Sequence, residues 1–428
     1  MKRVFLWAVG GVLAALAVGA VAVAWLDSAD APPSAQPRPV ATDGATIARG
    51  RYLARAGNCA ACHTRRGESP YAGGEALRTP FGTVYGGNLT PHDTTGLGRW
   101  STDDFWRALH HGRSRDGQML TPAFPYPHFT QVTREDSDAL FAFLRSVPAV
   151  DRPSTPNALA FPYNTQLALK VWRALYFRPG TFVAQPAKSA EWNRGAYLVH
   201  GLGHCAACHG TRNAMGATMP DRAFDGGTVP GQGWYAPALT LAAEGSVAAW
   251  PVADVVGLLR DGVAAGTGAT VVGPMAEVVA RSTQHLGAAD AQAMAVFLRD
   301  LPVRPAADAP RVRPPDARTL DRGAKVYADQ CATCHGERGE GRPGAFPALA
   351  GNRAVTMADP TNLMRVILQG GYGPSTAGRP RPHGMPPFGH VLDDADIAAV
   401  STHVRTAWGN TGTPVNQVQV VQLREGRD

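Results

Sequence analysis

Cysteine is scarce, six residues in 428, and charged residues make up only 18% against 44% hydrophobic. That balance excludes a disordered chain and one wholly embedded in a membrane. Gly and Pro number 48 and 35; together they stay below the roughly 25–30% of low-complexity chains, although loops are abundant. No nucleotide-binding loop, hydrolytic triad or separate substrate domain appears. Alternation of β type never runs to a useful length. The chain has only one long apolar run, the 23 uncharged residues Val4–Leu26 between Lys2-Arg3 and Asp27. Such a helix would be long enough to cross a hydrocarbon core of about 30 Å, with its basic end in the cytoplasm. The competing reading is a cleaved signal peptide, with Ala29-Asp30-Ala31 as its site. Pro32 and Pro33, and an apolar run longer than the usual h-region of about 7–15 residues, favour a retained anchor. Either reading places the rest of the chain outside the cytoplasm, on the periplasmic side.

All six cysteines fall in one pattern used three times: Cys59-Ala60-Ala61-Cys62-His63, Cys205-Ala206-Ala207-Cys208-His209 and Cys331-Ala332-Thr333-Cys334-His335. This is the spacing of covalent haem c attachment. Two thiols three apart lie on one helical turn, where each forms a thioether with a haem vinyl group. The following His lies under the iron. Zinc would lack a fourth ligand at each set, and a redox Cys-x-x-Cys does not call for a His after every copy. The chain is therefore expected to hold three covalently bound haem c, with His63, His209 and His335 as proximal ligands. Three haems bring six propionates and ferric cores of about +1 each. The formal +7 thus falls to about +4 oxidised, and nucleic acid is not an expected partner.

Other features repeat with these sites. An Arg-Gly precedes each motif (Arg49-Gly50, Arg194-Gly195, Arg322-Gly323). A middle helix follows, over 102–110, 252–260 and 361–368, and a terminal helix closes each unit, over 136–147, 289–301 and 393–408. The expected fold is all-α, three tandem class I cytochrome c domains behind an N-terminal transmembrane or signal helix. Its boundaries are anchor 1–27, a Pro/Ala-rich tether 28–42, domain one 43–150, linker 151–188, domain two 189–303, a Pro-rich linker 304–318, domain three 319–410 and a tail 411–428. The aromatic stretch Val171–Phe177 reads as a packed helix or a surface for a partner or membrane.

A second axial ligand is sought among the nine Met. Met385, in Gly-Met-Pro-Pro-Phe, and Met275, in Gly-Pro-Met-Ala-Glu, suit the third and second irons. Met215 and Met219 lie too near their motif, and Met294 belongs to a core helix. The first domain offers Met119, with His128 the alternative, or no protein ligand. His92, His110 and His111 read as solvated.

These residues resemble the triheme cytochrome c subunits of bacterial periplasmic dehydrogenases. The likeness rests on Thr79-Pro80-Phe81-Gly82-Thr83, Asn88-Leu89-Thr90-Pro91, Gly98-Arg99-Trp100-Ser101, Met275-Ala276-Glu277-Val278-Val279 and Met385-Pro386-Pro387-Phe388 through Trp408-Gly409-Asn410. It implies electron transfer from a catalytic subunit that oxidises an aldehyde or alcohol, through three haems, to ubiquinone or a terminal oxidase at the inner membrane. Phe124 departs from quinoprotein-type members, which have Met in that Pro-Ala-x-Pro-Tyr loop. The partner class therefore leans to a molybdenum aldehyde dehydrogenase type, with a small Fe-S subunit, over a quinoprotein or flavoprotein type. A haem-bearing subunit of a terminal oxidase and a multihaem peroxidase fit less of the pattern.

Overall fold

The computed structural model describes residues 38–305 and 314–426, with Trp7 and Gly19. The expected span Val4–Leu26 lies outside the described residues apart from those two. Most of the 28–42 tether and residues 306–313 lie outside as well. Among the described residues no helix is long and apolar enough to cross a membrane. The fold class is also corrected from all-α, because three small antiparallel sheets accompany the helices. Their strands run two to four residues, too short for a period-2 pattern to register in a sequence.

Two compact units are present. One runs to Ala54 and over Cys59–Val183; the other takes Arg55–Asn58 and Ala184 onward. In the first, α1 (Gly44–Ala56) leads to the attachment turn α2 (Cys59–His63). A hairpin of β1 (Ala76–Thr79) and β2 (Gly82–Tyr85) follows, and β3 (Ala158–Leu159) pairs with β2. The middle helix α3 (Thr102–His111) starts at a capping box between Ser101 and Asp104 and ends at left-handed Gly112. A Cβ at Gly112 would sit 2.6 Å from the Tyr126 ring. Then come α4 (Tyr126–Phe129), the terminal helix α5 (Arg134–Ser146), whose cap Thr133 accepts from the Asp136 amide, and α6 (Gln166–Tyr176).

The second unit holds two sets of elements. The first set is α7 (Ala190–His200), α8 (Ala206–His209), β4 (Gly227–Thr228) paired with β5 (Tyr235–Ala236), α9 (Val252–Asp261), α10 (Pro274–Arg281) and α11 (Ala288–Arg299). The second set is α12 (Ala317–Gln330), α13 (Ala332–His335), α14 (Arg353–Thr356), α15 (Thr361–Gln369), β6 (Gly371–Tyr372) paired with β7 (Gly384–Met385), α16 (Asp394–Thr406) and α17 (Gln417–Arg424).

The repeated Arg-Gly has a structural cause. Each glycine sits where its helix crosses the terminal helix. An added Cβ would lie 1.9 Å from the Ala139 carbonyl oxygen at Gly50, 1.9 Å from that of Ala293 at Gly195, and 2.3 Å from that of Ala399 at Gly323. Only glycine permits this approach. The preceding arginine grips the start of the terminal helix: Arg49 donates to Asp136 at 2.7 Å, Arg194 to Asp290 at 2.8 and 2.7 Å, and Arg322 to Asp396 at 2.7 Å and Asp393 at 2.9 Å. Acidic side chains there also complement the helix N-terminus.

Two regions without clear sequence patterns are built into the units. The Val171–Phe177 stretch belongs to α6 and its exit, with Trp172 and Phe177 buried against Tyr126. Within the 411–428 tail, α17 buries Val420 and Leu423 in the same core as Ile397 and Val404. Beside it Arg405 is fully buried, donating to the carbonyls of Thr413, Val355 and Met357.

Candidate haem attachment sites

The three Cys-x-x-Cys-His segments sit on short helical turns, and none of their six cysteines forms a disulfide. Burial and the neighbouring thiol push Cys59 and Cys205 up to about 12, and Cys331 up to about 11, so all three stay protonated at neutral pH. A thiol, not a disulfide or a metal-bound thiolate, is what a vinyl addition consumes.

The histidines are held in one way at all three turns. Nδ1 of His63 lies 2.7 Å from the Gly87 carbonyl oxygen, that of His209 lies 2.8 Å from Pro237 O, and that of His335 lies 2.9 Å from Pro347 O. A carbonyl can only accept, so Nδ1 carries the proton and donates. Nε2 keeps its lone pair for iron. Burial lowers the His63 and His209 pKa values, while the bond to the carbonyl raises them, leaving the neutral form a metal needs. The backbone adds a second tie: the carbonyls of His63, His209 and His335 accept from the amides of Gly73, Gly226 and Gly341 at 2.8, 2.7 and 2.7 Å. Each of these glycines has positive φ, 81°, 75° and 69°, which explains the residue type.

The strands that overturn the all-α expectation do their positioning here. Gly87 follows β2 and Pro237 follows β5, so each short hairpin delivers the carbonyl that orients its histidine. Neither acceptor was visible in the sequence, because a backbone oxygen has no residue signature. Two thiols and an imidazole whose Nδ1 is bonded to a carbonyl, with Nε2 left for a metal, repeated three times, fit haem c at every turn. Nothing in the set would suit a tetrahedral zinc.

The methionines expected as second ligands sit in different settings. Met385 is half-buried and packs on the same core as Cys331, Ala332, Leu349, Phe388 and Trp408. It is anchored from behind by Phe388 N–H to Ile367 O at 2.9 Å and by Gly389 N–H to Leu368 O at 3.0 Å. Asn410 locks the adjoining segment, donating to Leu349 O at 3.0 Å and Val404 O at 2.6 Å. The Tyr327 hydroxyl donates to Gly336 O at 2.6 Å beside the attachment turn, and burial with the nearby Cys331 holds its pKa up at about 12. Met275 starts α10, half-buried against Val271, Ala276, Val279 and Leu258.

Met119 is buried in the first unit, and the Gln166 side chain clasps its backbone, accepting from Met119 N at 2.7 Å and donating to Met119 O at 3.3 Å. His128 stands on α4, half-buried, and Phe124 packs on Phe129 with ring centroids 5.4 Å apart. His110 and His111 correct their expectation. Both are buried at the end of α3, His110 stacked on Trp106 at 4.4 Å and His111 lending its carbonyl to Arg173.

Comparison with known proteins agrees with this geometry. The cytochrome c family matches residues 47–148 and 320–408. One of the subunits of nicotinate dehydrogenase from Pseudomonas putida is 38% identical over 95% of this chain, which spans about a third of that protein's length (34%). The cytochrome c subunit of a quinone alcohol dehydrogenase from Gluconacetobacter polyoxogenes is 36% identical over 90% of this chain and 85% of its own. The cytochrome c subunit of gluconate 2-dehydrogenase from Pantoea cypripedii is 37% identical over 89% and 90% respectively. With attachment turns that suit covalent haem c and two such cytochrome subunits matched over most of their length, the chain belongs to the family of dehydrogenase cytochrome c subunits.

Proposed function

We propose that the chain is a triheme electron-transfer subunit of a dehydrogenase complex on the periplasmic side of the inner membrane. It takes electrons from a catalytic subunit that oxidises an aldehyde or alcohol and delivers them to ubiquinone or the respiratory chain. The observation that carries this reading is the threefold recurrence of one site: two thiols a turn apart and a histidine whose Nδ1 is committed to a carbonyl. Haem supplies the one-electron chemistry when bound, and the protein supplies attachment, ligation and spacing.

In this reading Cys59, Cys62, Cys205, Cys208, Cys331 and Cys334 form the thioethers. His63, His209 and His335 are proximal, Met275 and Met385 distal, and Met119 serves the first iron with His128 as alternative. Phe124, in place of the Met of quinoprotein-type members, supports a molybdenum-type partner, with a small Fe-S subunit linking it to the haems.

The test is haem stoichiometry together with the oxidised spectrum. Three haems per chain, at least two of them low-spin with a weak thioether charge-transfer band, are the expected result. Two haems per chain would remove the triheme assignment. A mainly high-spin spectrum with full carbon monoxide binding would replace a carrier with an oxygen- or peroxide-reactive centre.

A further inference from the structure

Met385 stands at the end of a loop, 373–383, that connects β6 to β7. The tip of this loop is held by its own set through Arg379, which donates to Gly344 O at 3.2 Å, and more extensively by the preceding one. Pro374 is buried against Gly262, the left-handed cap of α9 in the preceding set, where an added Cβ would lie 2.3 Å from Pro374 Cγ. The Thr376 hydroxyl reaches Asp261 Oδ1 at 3.4 Å. The Gln284 side chain spans the tip on both sides, with Nε2 donating to Ser375 O at 3.2 Å and Oε1 accepting from Ala377 N at 3.3 Å. The same amide also donates to Ala280 O, which fixes it to the end of α10. Thr376 is buried, and Thr376 and Arg379 exchange backbone bonds at 3.1 Å that keep the tip folded.

The helix that leads into this hairpin has a similar tie. Asn362, in the first turn of α15, accepts from Tyr235 N at 2.9 Å and donates to Tyr235 O at 2.7 Å. Its amide thereby takes the place of a strand on β5, whose next residues carry the Pro237 carbonyl that orients His209. From Asn362, α15 runs to Gln369 and passes directly into β6, where Gly371 pairs with Met385.

We propose that Gln284 is a positioning residue for Met385, with Asn362 bracing the helix that leads to it, so that ligation at the third attachment site depends on the docked second set. The proposal rests on Met385 being a distal ligand, as read above. A thioether binds ferric iron weakly, and a loop held at its tip and at its root loses little freedom when it ligates. Releasing either hold lets the sulfur leave the iron more often, without touching Cys331, Cys334 or His335.

The experiment is an imidazole titration and a potentiometric titration of the whole chain as wild type, Gln284→Leu and Gly262→Ala. The first variant deletes both tip hydrogen bonds, and the second drives a methyl group into Pro374. At about 1 kcal/mol for each of the two hydrogen bonds, Gln284→Leu should let one haem in three bind imidazole about thirtyfold more readily. The same haem should lose its charge-transfer band at lower pH and fall in midpoint potential, while the other two stay unchanged. Equal imidazole affinity and potentials in wild type and both variants would overturn the proposal. A uniform change across all three haems would overturn it as well, since that reports general loosening. A separate Met385→Leu variant isolates the premise: if it leaves every potential unchanged, the ligand assignment itself is lost.

Discussion

The first and third attachment turns hold their histidines alike and differ around the methionines proposed as distal ligands. Histidine, carbonyl acceptor and left-handed glycine play the same parts in both, with Nδ1 to oxygen distances of 2.7 and 2.9 Å. On the far side, Met385 sits beside two prolines in a loop braced from α15, whereas Met119 is clasped through its backbone by Gln166 of α6. In the proposed reading the proximal half is set by covalent attachment, which calls for the same arrangement at both sites. The distal half is set by loop anchoring, and there the protein can adjust an iron's potential without disturbing how the haem is held.

The contrast extends to the helix crossing under each site, and the largest effect is expected there. Gly50→Ala forces a methyl group against the Ala139 carbonyl at 1.9 Å, and Gly323→Ala meets the Ala399 carbonyl at 2.3 Å. Backbone oxygens cannot rotate away, so the helices must part. Both variants should lose about 3 kcal/mol of stability, at the upper end of overpacking costs, with Gly50→Ala the worse. Denaturant unfolding of the two variants checks the order; a neutral Gly50→Ala would show that the crossing is not tight.

What the sequence disclosed and what it hid follow from the same distinction. Cysteine, histidine and the helical periods of the middle and terminal helices leave marks at fixed offsets, and α3, α9 and α15 begin at the residues expected, Thr102, Val252 and Thr361. The hairpins escaped because their strands are two to four residues long and their contribution is a backbone oxygen. The helix α17 escaped because a stretch with two buried residues, Val420 and Leu423, shows no clear stripe. His110 and His111 were misread because adjacent polar residues suggest a surface, whereas stacking on Trp106 and packing near Arg173 bury them. Arg-Gly was seen as a repeat, but its cause, a carbonyl facing the glycine from another helix, is tertiary.

A smaller effect sharpens the distal comparison. Met119→Leu and His128→Leu preserve bulk and remove one potential ligand each. If Met119 ligates the first iron, Met119→Leu lowers a single midpoint potential and raises carbon monoxide binding by one haem equivalent, and His128→Leu does neither. The reverse outcome assigns His128. No change in either variant leaves the first iron without a distal protein ligand, and the first site would then be the place where a small molecule reaches iron.

The smallest effect separates the two arginine grips. Asp136, partner of Arg49, has a side chain only 2% exposed, whereas Asp393, partner of Arg322, is 66% exposed. Solvent screens the second pair, and Asn is itself a good helix cap, so Asp393→Asn should cost under about 1 kcal/mol at pH 7. The Asp396 amide and the Arg322 guanidinium hold the Asp393 carboxyl below its ordinary 3.8. A carboxylate lowered on folding stabilises the fold above its unfolded pKa and loses that contribution as pH falls through the folded value. The gap between wild type and Asp393→Asn should therefore be fully present above about pH 4 and close in more acid solution. Asp136→Asn should cost more than Asp393→Asn, because it leaves a buried position facing Arg49 without its charge. Unfolding curves of the two variants at pH 7, with Asp393→Asn repeated in acid below the folded value, test both the ranking and the sign. A larger loss in Asp393→Asn would mean that the exposed grip, not the buried one, holds its helix crossing together.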